Sequence, residues 1–433
     1  MPESPPELSG AAYLRLVGVG ALIGVPAALV AALFLALVHD GEHWLWTTLP
    51  SSLGHASPPW YLVIGLPVAG ALVVLVARVA LPGDGGHSPL EGIGGGAVPV
   101  KNGPGIVLAA LGTLCFGAVL GPEAPLIAVG SIVGMIFALF VKVGRREQSV
   151  LATAGSFSAI SALFGGPIVG GMLLVEGGLA MGTALLPVLL PGFVAAAIGY
   201  VIFVGFGTWG GLHEQGLVVP NLPAYNGTHV YDLLVGVVVG ILAAILVTIV
   251  RKGAEEIDGR GLARLGLPLV LLGGGLAVGL VAEIAGWLGA DSQDVLFSGQ
   301  SGIPALAAAD STKIVLILLA GKAIGYSVSL GCGFRGGPVF PPIFLGISLA
   351  TLAHVWFGVS PTLAVAVGAA AGMASVTRLL ITPSLFAALL VGSAGLDAVP
   401  AAVLAASAAW LTVRMLDSRA RAEAGAAAAI EST

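Results

Sequence analysis

The most informative feature of this sequence is how little charge it carries. Of its 433 residues only 17 are basic and 22 are acidic, which is 9% of the chain, whereas 57% are hydrophobic. Soluble domains carry about 25% charged residues. So few charges exclude a soluble globular protein and leave no basic surface for nucleic acid. We therefore expect an integral membrane protein whose apolar surface faces lipid and whose spanning elements are helices.

Cysteine and clustered metal ligands are also scarce. The two cysteines, Cys115 and Cys332, lie in apolar or glycine-rich surroundings, so we expect two buried free thiols, with a disulfide as the alternative. The seven histidines are scattered, whereas metal transport requires clustered His, Asp or Glu at membrane depth. We find no paired His and Glu on a helix and no nucleophile–base spacing. We therefore expect no metal, no cofactor and no enzymatic activity.

Apolar runs and 66 glycines fill the sequence instead. A bilayer core of about 30 Å needs about 20 apolar residues in a helix, and the clear candidates are 14–38, 60–79, 185–206, 233–250, 267–288 and 314–330. Shorter or interrupted runs lie at 106–120, 126–141, 151–164, 168–175, 343–357, 363–375, 379–392 and 399–416. Compact Gly/Pro segments separate them. Such irregular backbone at membrane depth survives only where it is buried in protein or lines a wet cavity, so we expect function there.

The basic residues indicate the orientation in the membrane. Lysine and arginine cluster at 142–146, 251–264 and 414–421, whereas the segments 39–59, 208–229 and 289–311 contain neither. The positive-inside rule places the clusters in the cytoplasm. We expect a multi-pass protein of the plasma membrane with both termini cytoplasmic. The expected division is a disordered lead at 1–12, a transmembrane domain at 13–416 and a short cytoplasmic tail at 417–433.

The two halves of the chain share an order of interruptions. The string GGHSP at 85–89 is similar to SGQSGIP at 298–304. Each precedes a glycine-punctuated helix and a second broken loop, GPEAP in one half and GGPVFP in the other. Matching interruptions are typical of inverted-repeat transporters, whose site lies at the midplane between the repeats. We expect pseudo-repeats over about 13–207 and 230–416.

The first of these broken loops carries a carboxylate. In GAVLGPEAPLIAVGS, residues 117–131, Glu123 stands between two prolines at the start of a predicted helix. A carboxylate in hydrocarbon is costly, so an intramembrane Glu is a functional hypothesis. A helix N-terminus offers free N–H groups and positive potential, which bind anions. Glu123 would occupy that site and leave when protonated or displaced; the alternative is a Glu that only stabilises the helix start.

Two further segments offer donors near a helix start. In GCGFRGGPVFPPIFLG, residues 331–346, Gly336 and Gly337 let the backbone approach an ion closely, or else form a tight turn between two spans. In GGHSPLEG, residues 85–92, Ser88 offers a hydroxyl. That hydroxyl is either an anion ligand or an N-cap followed by proline at the first helical position.

Together these segments resemble the CLC family of chloride channels and chloride/proton antiporters. That family has an early Gly-Ser-Gly-Ile-Pro loop, a central Gly-Arg-Glu-Gly-Pro loop and a later Gly-x-Phe-x-Pro loop, and residues 322–346 align to the last without gaps. The resemblance runs from about residue 14 to 416 and implies an all-α inverted-repeat bundle that assembles as a homodimer. It implies that Glu123 is the gating glutamate. It also implies an anion site formed by Ser88, Gly121, Glu123, Ala124, Gly337, Val339 and Phe340.

The sequence also departs from the family pattern. The first loop reads GHSP, one residue short. In the gapless alignment Pro338 and Val339 fall where two backbone amides bind the ion, and proline has no N–H. No tyrosine follows Tyr326, so the family's pore tyrosine has no counterpart. The family's proton-relay glutamate is the second of a Glu-Glu pair, and here Glu176 is followed by Gly177.

These features predict transmembrane anion transport with chloride as the bound ligand. The loss of the relay carboxylate and of the tyrosine favours a channel-like or weakly proton-coupled protein, in which Glu176 is the candidate proton route. A chloride/proton antiporter is the alternative. A carrier for another small solute is a more remote one.

Overall fold

Helices account for the regular structure of this protein. The computed structural model describes residues 10–179, 182, 185–210 and 217–431. Within these ranges the extended pairing is limited to one isolated bridge, between Gly121 and Gly337. In the described part of the chain, eight helical segments are long and apolar enough to cross a membrane. The expectation of an all-α integral membrane protein is confirmed.

The described part of the first half contains eight helices. Their bounds are α1 (Gly10–His43), α2 (Leu49–Ser52), α3 (Trp60–Ala80), α4 (Gly103–Leu114), α5 (Glu123–Val141), α6 (Arg145–Leu163), α7 (Pro167–Gly177) and α8 (Leu186–Gly210). A π-helical turn, Trp44–Thr48, joins α1 to α2. Two short 3₁₀ turns, Pro89–Glu91 and Val100–Asn102, lie between α3 and α4.

The described part of the second half also contains eight helices. They are α9 (Val230–Trp287), α10 (Ser292–Val295), α11 (Ile303–Ala307), α12 (Thr312–Gly331), α13 (Phe340–Phe357), α14 (Pro361–Thr377), α15 (Ile381–Val391) and α16 (Val399–Glu431). Helix α9 consists of two spans, because Gly266 adopts a φ of 76° and Pro268 follows it. Glycine and proline are the usual causes of such a kink.

The helices differ from the predicted runs mainly at their ends. The runs 233–250 and 267–288 lie on either side of the α9 kink. The runs 126–141 and 343–357 look too short to cross, but α5 and α13 begin earlier and reach spanning length. They begin earlier because glutamate and proline are both well accommodated in the first turn of a helix.

The chain ends also differ from the expected division. Residues 10–12 of the expected lead already belong to α1, and residues 1–9 lie outside the described residues. The expected tail begins at 417, but α16 continues through it to Glu431. A helix continues where no glycine or proline interrupts it. After the proline near its start, α16 is rich in alanine and has one late glycine but no further proline.

Several packed pairs of helices recur in the two halves when α9 is matched with α1 and α13–α16 with α5–α8. The packed pairs α1–α8, α1–α6, α5–α6, α6–α8 and α7–α8 reappear as α9–α16, α9–α14, α13–α14, α14–α16 and α15–α16. The second broken loop of each half leads into α5 or α13. The recurring pairs favour the pseudo-repeats, which stay a prediction.

Glycine contacts bring the central helices of each half together. A Cβ at Gly155 of α6 would overlap the carbonyl oxygen of Gly130 on α5. In the second half, a Cβ at Gly346 of α13 would overlap the carbonyl oxygen of Gly368 on α14. Helices in lipid associate by close backbone packing, for which glycine leaves room. These contacts fix where the N-termini of α5 and α13 lie.

Cys115 and Cys332 are both buried and free. No group of three or more His, Cys, Asp or Glu side chains that could hold a metal ion occurs in the described ranges.

We predict that Gly155→Ala destabilises the protein by about 1–3 kcal/mol, the usual cost of overpacking a tight contact. Gly273→Ala in α9 is the matched control, because a Cβ there meets nothing within 4 Å and alanine favours helix. Thermal unfolding of the detergent-solubilised variants measures the difference. Equal losses in both variants would show that the α5–α6 contact is not what requires glycine at 155.

Candidate functional site

The two broken loops meet at the centre of the molecule. The N–H of Gly121 donates to the carbonyl of Gly337 at 2.8 Å, and the N–H of Gly337 donates back to the carbonyl of Gly121 at 2.5 Å. This exchange is the isolated antiparallel bridge. It places the start of α5, at Glu123, beside the start of α13, at Phe340.

The carboxylate of Glu123 fills the space between these two helix starts. The side chain is fully buried, and its Oε1 accepts hydrogen bonds from the N–H groups of Val339, at 3.2 Å, and Phe340, at 2.9 Å. Its Oε2 has no hydrogen-bond partner among the described residues. A Cβ at Gly121 or Gly337 would overlap this oxygen, so both glycines are needed for the carboxylate to fit.

The chain limits the donors at this site to a few amides. Pro341 and Pro342 form the first turn of α13 and have no N–H, so Val339 and Phe340 carry the free donors there. A helix N-terminus with free N–H groups favours a negative charge. The position now filled by Glu123 Oε1 therefore suits any small anion that replaces the carboxylate.

The gapless alignment and the structure point to different amides at this loop. The alignment gives Pro338 and Val339 as the two residues whose amides bind the ion, whereas the amides that bind the Glu123 carboxylate belong to Val339 and Phe340. Pro338 therefore removes neither of the donors to Glu123. Its carbonyl points elsewhere and accepts a hydrogen bond from the Tyr326 hydroxyl at 2.8 Å.

Of the other predicted site residues, some lie next to the Glu123 carboxylate and Ser88 does not bond to it. Gly121 and Gly337 lie against the carboxylate, but their N–H groups bond to each other, so they contribute space rather than donors. Ala124 follows Glu123 in the first turn of α5 and is buried. The Ser88 hydroxyl is not among the groups that hydrogen-bond to Glu123, and it does not cap the 3₁₀ turn that follows.

The loop that carries Ser88 is tied to the second broken loop by charge. Asp84 accepts hydrogen bonds from Arg78 of α3, at 2.8 Å, and from Arg335, which is buried. Partial burial acts to raise the pKa of Asp84, but the hydrogen bonds and charges of the two arginines outweigh it and hold the pKa below its usual value. These ion pairs fix the loop that precedes Ser88 against the segment leading to Gly337.

Sequence analysis did not identify the aromatic cluster that packs on the Phe340 side chain. Phe340 stacks on Phe164 with ring centroids 5.8 Å apart, and the ring of Phe386 meets both edge-on. All three are buried. The sequence around Phe386 does not distinguish it from other core residues. The only available signal for Phe164 is the Gly-Gly-Pro break that follows it and precedes α7.

Glu176, the residue predicted to carry protons, caps the N-terminus of a helix. Its Oε1 accepts from the N–H groups of Leu380 and Ile381, and its Oε2 accepts from the N–H and hydroxyl of Thr382. Both oxygens therefore serve the start of α15. The next residue, Gly177, is exposed, and a Cβ there would meet nothing within 4 Å.

We predict that Glu176→Gln lowers the free energy of unfolding by about 1–3 kcal/mol, because a glutamine cannot accept all four bonds and leaves donors unpaired. Anion flux per folded protein should change little. Thermal unfolding and chloride efflux from proteoliposomes measure the two effects separately. A variant of unchanged stability that loses proton movement would make Glu176 a proton carrier instead of a cap.

Comparison with known proteins identifies a family and several relatives. The model of the family described as "Voltage gated chloride channel" matches residues 89–414. The chain is 28% identical, over 342 residues, to "Putative ion-transport protein YfeO" of Escherichia coli O7:K1 (strain IAI39 / ExPEC), and the match covers 77% of each chain. The protein of the same name from Escherichia fergusonii is also 28% identical over 342 residues.

Solved structures share the fold. The X-ray structure of a slow cyanobacterial Cl⁻/H⁺ antiporter superimposes with a TM-score of 0.72 at 16% identity, covering 93% of this chain and 95% of that one. The structure of a CLC-type fluoride/proton antiporter gives a TM-score of 0.70 at 20% identity, covering 94% and 96%. At sequence identities this low, the superposition shows that the fold is shared and nothing more specific.

Proposed function

The chain belongs to the voltage-gated chloride channel family, the CLC family, and we propose that it carries chloride or a similar small anion across the membrane through a pathway gated by Glu123. The observation that carries the proposal is the buried Glu123 carboxylate on the Val339 and Phe340 amides. These amides are the donors that a partly dehydrated anion requires. Carboxylate and anion would compete for them, so the pathway opens when Glu123 leaves.

The coupling of anion movement to protons is weak in this proposal. An exchanger needs a titratable group on the inner side that passes protons toward Glu123. Glu176 is bound on both oxygens by α15, and Gly177 has no side chain to titrate. No tyrosine follows Tyr326 to restrain the anion. These features favour channel-like transport.

A chloride/proton antiporter is the second candidate. It is favoured by the similar solved structures, which are those of a Cl⁻/H⁺ antiporter and a fluoride/proton antiporter. A carrier for another small solute is more remote, because the two loops present backbone amides to a buried carboxylate, and such donors suit an anion.

The assembly and location follow from the family and the charge distribution. We propose a homodimer in the plasma membrane with one pathway in each subunit and with both termini in the cytoplasm. The basic clusters at 142–146, 251–264 and 414–421 then face the cytoplasm.

We predict that Glu123→Gln raises chloride flux and removes most of its pH dependence, because a glutamine is neutral at every pH and binds the two amides less strongly than a carboxylate. Chloride efflux from proteoliposomes over a series of pH values measures this. Glu255→Gln is the control, since Glu255 is exposed on α9. An unaltered pH profile in Glu123→Gln would exclude Glu123 as the gate.

We predict that Gly177→Glu increases the number of protons moved with each chloride, because it supplies a titratable group where the side chain has room. Gly177→Gln has nearly the same size without the titratable group and is the matched control. Chloride efflux with simultaneous proton recording measures the ratio. A wild-type protein that already pumps chloride uphill on a proton gradient would overturn the channel-like proposal in favour of the antiporter.

A further inference from the structure

One face of α12 holds three of the loops that surround the site. Lys322, Tyr326 and Ser329 are spaced to lie along one side of the helix and are fully buried. Each bonds to the backbone of a different loop. The Lys322 side chain donates to the Leu296 carbonyl at 2.6 Å, and the Tyr326 hydroxyl donates to the Pro338 carbonyl at 2.8 Å. The Ser329 hydroxyl accepts from the Val119 N–H at 2.9 Å.

The Tyr326 bond acts on the peptide unit that carries one of the anion-site donors. The carbonyl of Pro338 and the N–H of Val339 belong to one planar trans peptide, so they point in opposite directions. Tyr326 lies at the carbonyl end and Glu123 at the N–H end, where the distance to Oε1 is 3.2 Å. Fixing the carbonyl therefore fixes the direction of the donor.

The loop itself provides little to fix this peptide. Gly336 and Gly337 precede it and, apart from the bridge between Gly337 and Gly121, restrict the backbone least of all residues. Pro338 has no N–H with which to anchor itself. If the peptide turned over, its carbonyl oxygen would face the site and repel an anion. The cost of leaving a buried tyrosine hydroxyl unpaired resists that rotation.

We propose that Tyr326 is a positioning residue of the anion site, which holds the Pro338–Val339 peptide with its N–H toward the bound anion. A hydrogen bond at the carbonyl also polarises the peptide and strengthens its N–H as a donor. Tyr326 thus contributes to anion affinity without touching the anion. The proposal rests on the proposed function, because it assumes that an anion replaces Glu123 on these amides.

The test uses a protein without the Glu123 carboxylate, so that only the anion can bind the two amides. Glu123 and the anion use the same amides, so a change in donor strength would largely cancel in the wild-type protein. In the Glu123→Ala protein chloride affinity reports the amides alone. We expect adding Tyr326→Phe to weaken chloride binding, measured by calorimetry on the purified full-length protein, by about three- to ten-fold, the effect of one hydrogen bond.

The matched control is Tyr225→Phe on the same background. Tyr225 is also a buried tyrosine, and its hydroxyl donates to Asp232 at 2.5 Å, outside the broken loops. We expect both substitutions to lower the thermal midpoint, but Tyr225→Phe to leave chloride affinity unchanged. Pro338→Gly is the second variant, since it loosens the same peptide without changing Tyr326, and it should weaken binding in the same direction.

Three outcomes separate the proposals. If the Glu123→Ala protein binds no chloride, the proposed anion site itself is wrong. If it binds chloride but neither Tyr326→Phe nor Pro338→Gly weakens the binding, the positioning role is overturned while the site stands. If Tyr225→Phe weakens binding as much as Tyr326→Phe, the effect follows from lost stability and the positioning role is likewise overturned.

Discussion

A carboxylate buried at membrane depth must find hydrogen-bond donors within the protein, and the centre of this structure depends on how Glu123 finds them. It does so at the N-terminus of another helix, from the amides of Val339 and Phe340. Glycine is required at 121 and 337, because any side chain there would take the space of Oε2. The Glu123 carboxylate thus constrains the residues around it: it requires glycine at 121 and 337 and free N–H groups at 339 and 340.

The rest of the fold brings those donors to the carboxylate. Glycine contacts between α5 and α6 and between α13 and α14 let the central helices approach closely, which sets the positions of their N-termini. The bridge between Gly121 and Gly337 joins the two loops across the repeat. Buried side chains of α12 then hold the loop backbones. Helix packing sets the distance between the loops, and hydrogen bonds set their orientation.

Two carboxylates in this protein are held in different ways. Glu176 has both oxygens satisfied, by three N–H groups and one hydroxyl at the start of α15. Glu123 has one oxygen satisfied and the other without a partner among the described residues. In the proposed function an anion that arrives at Glu123 takes over the same two amides, whereas displacing Glu176 breaks four hydrogen bonds. The number of donors is therefore one reason to propose Glu123, and not Glu176, as the gate.

The sequence by itself determined the class of the protein, the long spans and the repeated order of interruptions, and it singled out Glu123 as a carboxylate at a helix start, because these follow from composition, run length and local chemistry. It did not determine which amides face that carboxylate: they belong to Val339 and Phe340, whereas the gapless alignment gives Pro338 and Val339 as the amides that bind the ion. It also gave no sign that Glu176 caps α15 or that Tyr326 bonds to Pro338. Those partners lie 206 and 12 residues apart in the chain, and only the packing of the helices decides which backbone groups a side chain can reach.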